Sequence, residues 1–328
     1  MKNCFILISL SVILVSCRPT KNLSFDVLVP AEINLPDKNS DYLVLNSSYL
    51  PESVSNAEND ITYLPEAEKV IVDTIITRQI FDGLFSVLDE SPLESLRNIE
   101  YLEIRSDDTT GFLNPLSPEA VSGICRDNNA SFIISFEYYS FKEKSWQSMN
   151  SDRQYEVGVE LRRNLLWRIY AKEGYEVDVH LSQDTMYWVN YGISLDDTRS
   201  EMESNLDRYR EAFWLAGNEY GKRISPSWNT SNRYLYQISE KTDTGKKYLT
   251  FDKILLQEYC SSGSNYKNFK ACYNISVIYE SEGDIDNALK YINLALKSKN
   301  SSHALRYRDF LLNRKKKIDV LNQQTGKS

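Results

Sequence analysis

Residues 157–169 read VGVELRRNLLWRI, and this stretch carries the clearest structural signal in the chain. Every odd position except Arg163 is apolar, whereas most even positions are polar or charged. An alternation with a period of two predicts a β-strand with one face in a core and the other in water. After residues 172–174 the alternation resumes over 175–182, so the two segments predict a hairpin. Odd positions are again expected in the core, which puts His180 on the solvated face.

The segment that precedes this hairpin mixes strand and helix signals. Short apolar runs predict strands near residues 27–29, 41–46, 99–104 and 132–138. Apolar residues that return to one face predict a helix over 70–88, and Ser117-Pro118 marks the start of another, because serine caps a helix and proline suits its first position. We therefore expect an α+β domain over residues 25–195, built on a mixed sheet with a long antiparallel hairpin.

From residue 200 onward the periodicity is helical. A six-turn pattern over 202–224 is stopped by Pro226. Further helices are predicted near residues 248–259, 269–281, 284–297 and 302–317. Because strands mixed with helices are followed by helices alone, the chain is expected to form two domains. The second is predicted to be an all-α, TPR-like helical domain over residues 198–320.

Residues 275–296 have the spacing of one tetratricopeptide repeat (TPR). The matching positions are Ile275, Ser276, Tyr279, Gly283, Ala288, Ala295 and Leu296. Small residues let two helices approach closely, and glycine permits the tight turn between them. One repeat cannot bury its own apolar face, so degenerate helices must flank it. A generic helical hairpin is the alternative.

The N-terminus has the pattern of an export signal. Lys2 precedes an apolar run over residues 5–15, which is too short to span a bilayer, since that needs about 20 residues. The run ends in Leu14-Val15-Ser16-Cys17, which resembles the lipobox of bacterial lipoproteins. The resemblance implies a signal peptide over 1–16, acyl chains on Cys17 and a tether over 17–24. An ordinary cleaved signal with a chance cysteine is the alternative.

Several features in order resemble a family of TPR-containing Bacteroidetes lipoproteins. They are the lipobox, an α/β region with the strand sequence Leu165–Tyr170, the late degenerate repeat, and the short sequences Pro226-Ser227-Trp228 and Arg233-Tyr234 after the long helix. The resemblance extends over nearly the whole mature chain. The resemblance implies a lipid-anchored envelope protein, and it implies no particular activity for this chain.

Composition excludes several classes of protein. The formal net charge of −8 argues against nucleic acid or an anionic lipid surface as the main partner, because binding to either needs a basic surface. No apolar run after residue 15 approaches the length of a membrane span. Beyond Cys4 and Cys17, only Cys125, Cys260 and Cys272 remain, so one disulfide is open and buried free thiols are favoured.

Catalytic motifs are absent from the sequence. It has no nucleophile elbow, phosphate-binding loop, dinucleotide fingerprint, zinc-protease motif or EF-hand loop, and it has only two histidines. We therefore expect no enzyme, no catalytic residue, no metal and no cofactor. The basic run Arg314–Lys317 is interpreted as complementing the dipole at a helix end, with contact to acidic lipid headgroups as the alternative.

Two functions follow from these observations. The first is an envelope lipoprotein that binds a protein or peptide partner through its helical domain. The second is a lipoprotein that binds a glycan or small ligand, since Trp146, Trp188, Trp214 and Trp228 could stack on sugars unless they pack in the core. The membrane is reached through the lipid on Cys17. Because no acidic run follows Cys17, we expect an outer-membrane location that faces the periplasm.

Overall fold

The computed structural model describes residues 20–36, 40–49, 66–97, 99–105, 114–241, 247–250, 252–262 and 265–326. It divides into two compact units. The sheet unit is Ala31–Ser227, and the helical unit combines Met1–Pro30 with Trp228–Ser328. The predicted signal peptide and Cys17 lie outside the described residues. Much of the predicted tether is strand, because strand β1 runs over Thr20–Val29.

The sheet unit contains a five-stranded mixed sheet. Its strands are β2 (Tyr42–Asn46), β3 (Glu100–Glu103), β4 (Phe132–Met149), β5 (Tyr155–Ala171) and β6 (Glu176–Gly192), in the order β3-β2-β4-β5-β6. β2 is parallel to both neighbours, whereas β4, β5 and β6 are antiparallel. The predicted hairpin is confirmed as β5–β6. β4 continues to Met149, well beyond the strand predicted near residues 132–138. The alternation did not reveal this continuation, because a register shift between Phe136 and Tyr138 changes which positions face the core.

In the part of this unit that the structure describes, the helices are α1 (Glu66–Leu88), α2 (Pro118–Asp127), α3 (Leu195–Ser200) and α4 (Asn205–Ile224). A short 3-10 helix covers Glu94–Leu96. α1 and α4 pack on one face of the sheet over its largest core. α2 packs on the other face, where Val121 and Cys125 contact a smaller core that includes Leu43 and Tyr170. The cap predicted at Ser117 is present, because its side chain accepts a hydrogen bond from the Ala120 amide.

The long helix α4 lies in the sheet unit, so the chain divides at residue 227 instead of between 195 and 198. α1 and α4 touch backbone to backbone. A Cβ at Gly217 would lie 1.8 Å from the Ile80 carbonyl oxygen, and a Cβ at Gly83 would lie 2.0 Å from the Trp214 oxygen. Helical periodicity alone does not reveal which core a helix packs against.

The solvated and buried faces of β6 are the reverse of those predicted. Trp167 of β5 lies opposite His180, and opposed residues in an antiparallel pair share a face. His180 therefore faces α4 and stacks on Tyr220 with ring centroids 5.9 Å apart, whereas Val179 and Leu181 are exposed. The prediction of a solvated His180 was wrong because a β-bulge at Val177, between the Tyr170–Glu176 and Ile169–Asp178 pairs, reverses the parity that the turn alone would give.

The helical unit contains α5 (Lys253–Ser262), α6 (Asn265–Ser281), α7 (Ile285–Ser298) and α8 (Ser302–Thr325). Three short strands precede them: β7 (Ser227–Tyr236), β8 (Ile238–Lys241) and β9 (Lys247–Thr250). β1 pairs with β7, and β8 pairs with β9. The predicted class, an α+β region followed by a helical region, is confirmed, with these strand pairs as an addition.

The cysteines resolve one of the open alternatives. Cys260 and Cys272 form a disulfide that joins α5 to α6. Cys125 is a buried free thiol, so the expectation of free thiols holds for that residue alone. The bond links two helices whose packing the sequence does not encode in any spacing rule.

Candidate functional site

One candidate binding surface of the sheet unit is the face of β4, β5 and β6 opposite α1 and α4. We call this surface the open face. It is defined by Lys142, Trp146, Glu156, Glu160, Arg162, Asn164, Leu181, Gln183, Thr185, Tyr187 and Tyr191, which share one side of the sheet through the register of the strands. Its position follows from the register, because the same parity that turns His180 toward α4 turns these β6 residues outward.

Several large apolar side chains of the open face are exposed to solvent. Leu181, Tyr187 and Tyr191 are 54%, 60% and 56% exposed. Trp146 lies over Gly158, where a Cβ would come within 2.1 Å of its ring. Its ring meets Tyr187 edge to face at 6.4 Å. Large exposed apolar side chains on one face of a sheet mark a candidate binding surface.

Polar side chains lie beside these rings. The Trp146 indole donates a hydrogen bond to Glu156 over 3.0 Å, and the Arg162 guanidinium donates to Glu160. The Asn164 amide donates to Ser140 over 3.0 Å. A cavity of about 620 Å³ is lined here by residues that include Arg162, Asn164, Gln183 and Thr185. Its volume falls in the range of sites for small ligands.

A second cavity of about 690 Å³ lies on the opposite side of the sheet, between the ends of β4 and β5 and the segment around α3. Val157, Val159 and Met202 supply its apolar lining. Arg208 is buried beside it and donates to Glu143 over 2.9 Å. This carboxylate is held by a guanidinium, which indicates a structural ion pair at the wall of the cavity.

Buried ionic clusters brace the sheet on both faces. Arg105 donates two hydrogen bonds to Asp73, and burial next to that carboxylate raises the pKa of Tyr139 well above its usual value. On the other face Glu137 accepts from Arg168 and from the Tyr170 hydroxyl. Burial raises the pKa of Glu137. These groups pair with one another inside the unit, so they are interpreted as structural.

The predicted TPR positions pack between α6 and α7. Ile275, Ser276, Ala288 and Ala295 are fully buried. The Ser276 hydroxyl donates to the Ala288 carbonyl over 2.7 Å, an approach that only small side chains allow. Gly283 has φ of +82°, as the turn between the helices requires. Tyr279 stacks on Tyr291 with centroids 5.4 Å apart.

The surface shared by α6 and α8 is occupied by the chain itself. The Asn274 side chain accepts a hydrogen bond from the Tyr236 amide over 2.8 Å and donates one to the Tyr236 carbonyl over 2.7 Å. Lys270 donates to the Gln237 carbonyl. Side-chain amides that hold a backbone in this way are suited to an extended peptide, and here that peptide is residues 233–238, from the end of β7 to the start of β8.

A buried carboxylate joins this segment to both helices. Glu280 is fully buried and accepts two hydrogen bonds of 2.8 Å from Arg233. It also accepts from Arg314 over 2.6 Å and from the Tyr307 hydroxyl over 2.7 Å. Arg233 in turn lies 4.2 Å from the centroid of the Phe310 ring. No motif in the sequence marked this cluster, because its members are far apart along the chain.

The described residues contain no group of three or more His, Cys, Asp and Glu side chains placed to hold a metal ion. Within the same ranges, no helix combines the length and the apolar character needed to cross a membrane. Cys17 cannot be placed, since it lies outside those ranges.

Comparisons with known proteins give one family for each part of the chain. A model described as a domain of unknown function (DUF8603) matches residues 41–236, and another, described as a domain of unknown function (DUF6340), matches residues 245–316. No curated protein matches the chain. A solved structure from Helicobacter pylori, described as a homolog of a neuraminyllactose-binding hemagglutinin, has 12% identity and a TM-score of 0.32.

That match covers 60% of this chain and 89% of the other, and at such a TM-score it carries no argument about fold or ligand. The first family model is different, since it spans more than half of the chain. The chain therefore belongs to the family described as domain of unknown function DUF8603.

Proposed function

We propose that this chain is a ligand-binding lipoprotein of the cell envelope and that its open face binds a saccharide. The observation that carries the proposal is the exposed rings of Tyr187 and Tyr191, with the half-buried Trp146 packed edge to face on Tyr187, on the same face as a polar cavity. A sheet whose outer face had only a structural role would expose polar side chains at these positions.

The chemistry of the open face suits a sugar. The apolar face of a pyranose ring stacks on an aromatic ring, and its hydroxyls both donate and accept hydrogen bonds. Glu156 and Glu160 supply acceptors, Arg162 supplies donors, and the amides of Asn164 and Gln183 supply both. The opposite charges of Glu160 and Arg162 offset each other locally, which favours a neutral sugar over a strongly charged one.

Titration with a panel of oligosaccharides, followed by tryptophan fluorescence and calorimetry, tests this proposal. Tyr187→Ser is expected to weaken binding by up to about tenfold, since stacking on an aromatic ring contributes about 0.5–1.5 kcal/mol. Tyr187→Phe keeps the ring and should retain most of the affinity. Tyr234→Ser is the matched control, because Tyr234 is 57% exposed in the helical unit.

Failure of every saccharide to bind the wild-type chain would exclude the proposal. An equal loss of affinity in Tyr187→Ser and Tyr234→Ser would also contradict it, because the effect would then not be specific to the open face.

The envelope location has two independent supports. One is the lipobox resemblance at Leu14–Cys17. The other is the Cys260–Cys272 disulfide, because stable disulfides form in oxidising compartments. Accumulation of the unprocessed chain under globomycin, lost in Cys17→Ser, would establish the anchor. Protease treatment of intact cells would distinguish a surface location from the periplasmic side that we expect.

Binding of a protein partner through the TPR-like helices remains a prediction from the sequence. The surface of α6 and α8 holds residues 233–238 of the same chain, so a peptide partner would have to displace them or bind another face. This occupancy is the reason for giving the open face priority.

A further inference from the structure

The two units carry opposite net charges. The sheet unit has 18 Lys and Arg against 35 Asp and Glu, which gives −17. The helical unit has 20 against 11, which gives +9, and the two values make up the −8 of the whole chain. The net charge of the whole chain is therefore acidic although one of its units is basic. The argument that an acidic protein does not bind an anionic surface applies only to the sheet unit.

The last helix concentrates the basic character. Arg306, Lys316 and Lys317 are exposed on α8 and make no ion pair with any residue in the described part of the chain. Other basic residues nearby are already paired, as Arg314 is with Glu280 and Lys315 with Asp286. α8 thus presents cations whose charge is not offset within the unit.

Apolar side chains accompany these cations. Phe310, Leu312 and Val320 of α8 are 43%, 45% and 38% exposed. Positions 306, 310, 317 and 320 fall on one helical face, since their spacings are near multiples of 3.6. A surface helix that exposes both lysine or arginine and large apolar residues is suited to the headgroup region of a bilayer.

The N-terminal strand lies against the same helix. β1 pairs with β7, and the Phe25 ring lies 5.7 Å from the Arg314 guanidinium. β1 starts at Thr20, three residues after Cys17. Three extended residues span at most about 11 Å, so a lipid on Cys17 would enter the bilayer close to the start of β1. This step rests on the proposed lipidation, whereas the charge and exposure of α8 do not.

We propose that α8 and β1 form a docking surface for a bilayer that contains anionic lipid. The lipid anchor would keep this surface at the membrane, and Arg306, Lys316 and Lys317 would contact the headgroups. Charge complementarity selects the partner, because a zwitterionic bilayer would offer only the apolar contacts. The same anionic headgroups repel the sheet unit.

Flotation of the full mature chain with vesicles tests the proposal. The chain carries Cys17→Ser and no acyl group, so that only the protein surface binds. Vesicles of phosphatidylcholine with one quarter phosphatidylglycerol are compared with vesicles of phosphatidylcholine alone, at low and at physiological salt. We expect at least tenfold more binding to the anionic vesicles, with a decrease as salt rises.

The double variant Lys316→Glu/Lys317→Glu should reduce this binding by at least tenfold, since each basic residue near an anionic surface contributes several-fold. Arg126→Glu/Lys222→Glu is the matched control. It makes the same change in net charge at exposed positions of the sheet unit and should bind as the wild type does. Circular dichroism and thermal melting confirm that both variants fold.

Three outcomes would overturn the proposal. They are equal binding to both kinds of vesicle, an equal loss in both double variants, and binding to a DNA duplex as tight as to anionic vesicles. The last would indicate a general affinity for polyanions. Because acyl-free protein is used and no sugar is present, these results are independent of the lipidation and saccharide tests.

Discussion

Both units bury ions of their minority charge, and Glu280 and Arg163 differ in how far their partners are exposed to water. In the basic helical unit, Glu280 is fully buried and its partners Arg233 and Arg314 have side chains only 15% and 11% exposed. In the acidic sheet unit, Arg163 is 1% exposed, but its partners Asp184 and Glu219 are 46% and 54% exposed. Removing a buried ion is costly when the charges left behind stay out of water. The two clusters should therefore respond in different ways.

Glu280→Gln is expected to have the largest effect, a loss of about 3–5 kcal/mol in the free energy of unfolding. The amide keeps the shape of the side chain but leaves two largely buried guanidinium groups without a carboxylate. Chemical denaturation measures the loss, and hydrogen exchange should locate it in the helical unit. Glu282→Gln is the control, since Glu282 forms an exposed ion pair with Lys253 and should lose less than about 1 kcal/mol. Equal losses in both variants would contradict the argument from solvation.

Loss of the Cys260–Cys272 disulfide is expected to come next. Replacing both cysteines by serine should destabilise the chain by about 2–4 kcal/mol, because the bond restricts the unfolded chain. Hydrogen exchange should increase in α5 and α6 while α1 and α4 keep their protection. Reductant should destabilise the wild type and leave the double variant unchanged. A uniform increase in exchange over both units would show that the bond does not act on the helical unit alone.

Arg163→Met is expected to change stability by less than about 1 kcal/mol, in either direction. The two carboxylates left behind are half exposed and can be hydrated. In addition, Nε and Nη1 of Arg163 are buried and donate to no residue that the structure describes. Replacing the guanidinium by the methionine side chain removes the free-energy cost of burying these unpaired donors. Denaturation of this variant beside Glu280→Gln compares the two clusters directly. A loss as large as that of Glu280→Gln would show that Arg163 is held by more than its two ion pairs.

The smallest expected effect is on the pH dependence of stability. Burial and the neighbouring Arg223 lower the pKa of His180 below 6.5, although Asp178 and Glu32 oppose the shift. The folded state therefore favours neutral His180. Its contribution to stability is fully present above pH 6.5 and is lost as the pH falls from 6.5 toward the lowered pKa.

His180→Gln should remove this loss from the sheet unit. His303→Gln should act in the same way on the helical unit, since burial and Arg306 also lower the pKa of His303. Unfolding measured from pH 5 to 8 for the wild type and both variants provides the test. An unchanged slope in His180→Gln would mean that other groups carry the pH dependence.

Much of the fold was predictable because its signals are local. The alternation of residues 157–169 predicted β5, the Ser117-Pro118 pair predicted the start of α2, and Pro226 ended α4 where expected. The candidate site was less accessible to prediction. Trp146 was among the tryptophans considered for stacking, but Tyr187 and Tyr191 were not singled out. The alternation was followed only to residue 182, whereas β6 continues to Gly192, and its faces were assigned with the wrong parity.

Periodicity, capping residues and the lipobox resemblance depend only on neighbours in the sequence. The sequence by itself therefore predicted most of the strands and helices, their order and the expected anchor. Three features required tertiary contacts. The pairing of Trp167 with His180 decided which side of β6 is open, the approach of Gly83 and Gly217 decided where α4 belongs, and the pairing of β1 with β7 assigned the N-terminal strand to the basic unit. Each joins residues that are distant along the chain or depends on a β-bulge that the local pattern does not encode.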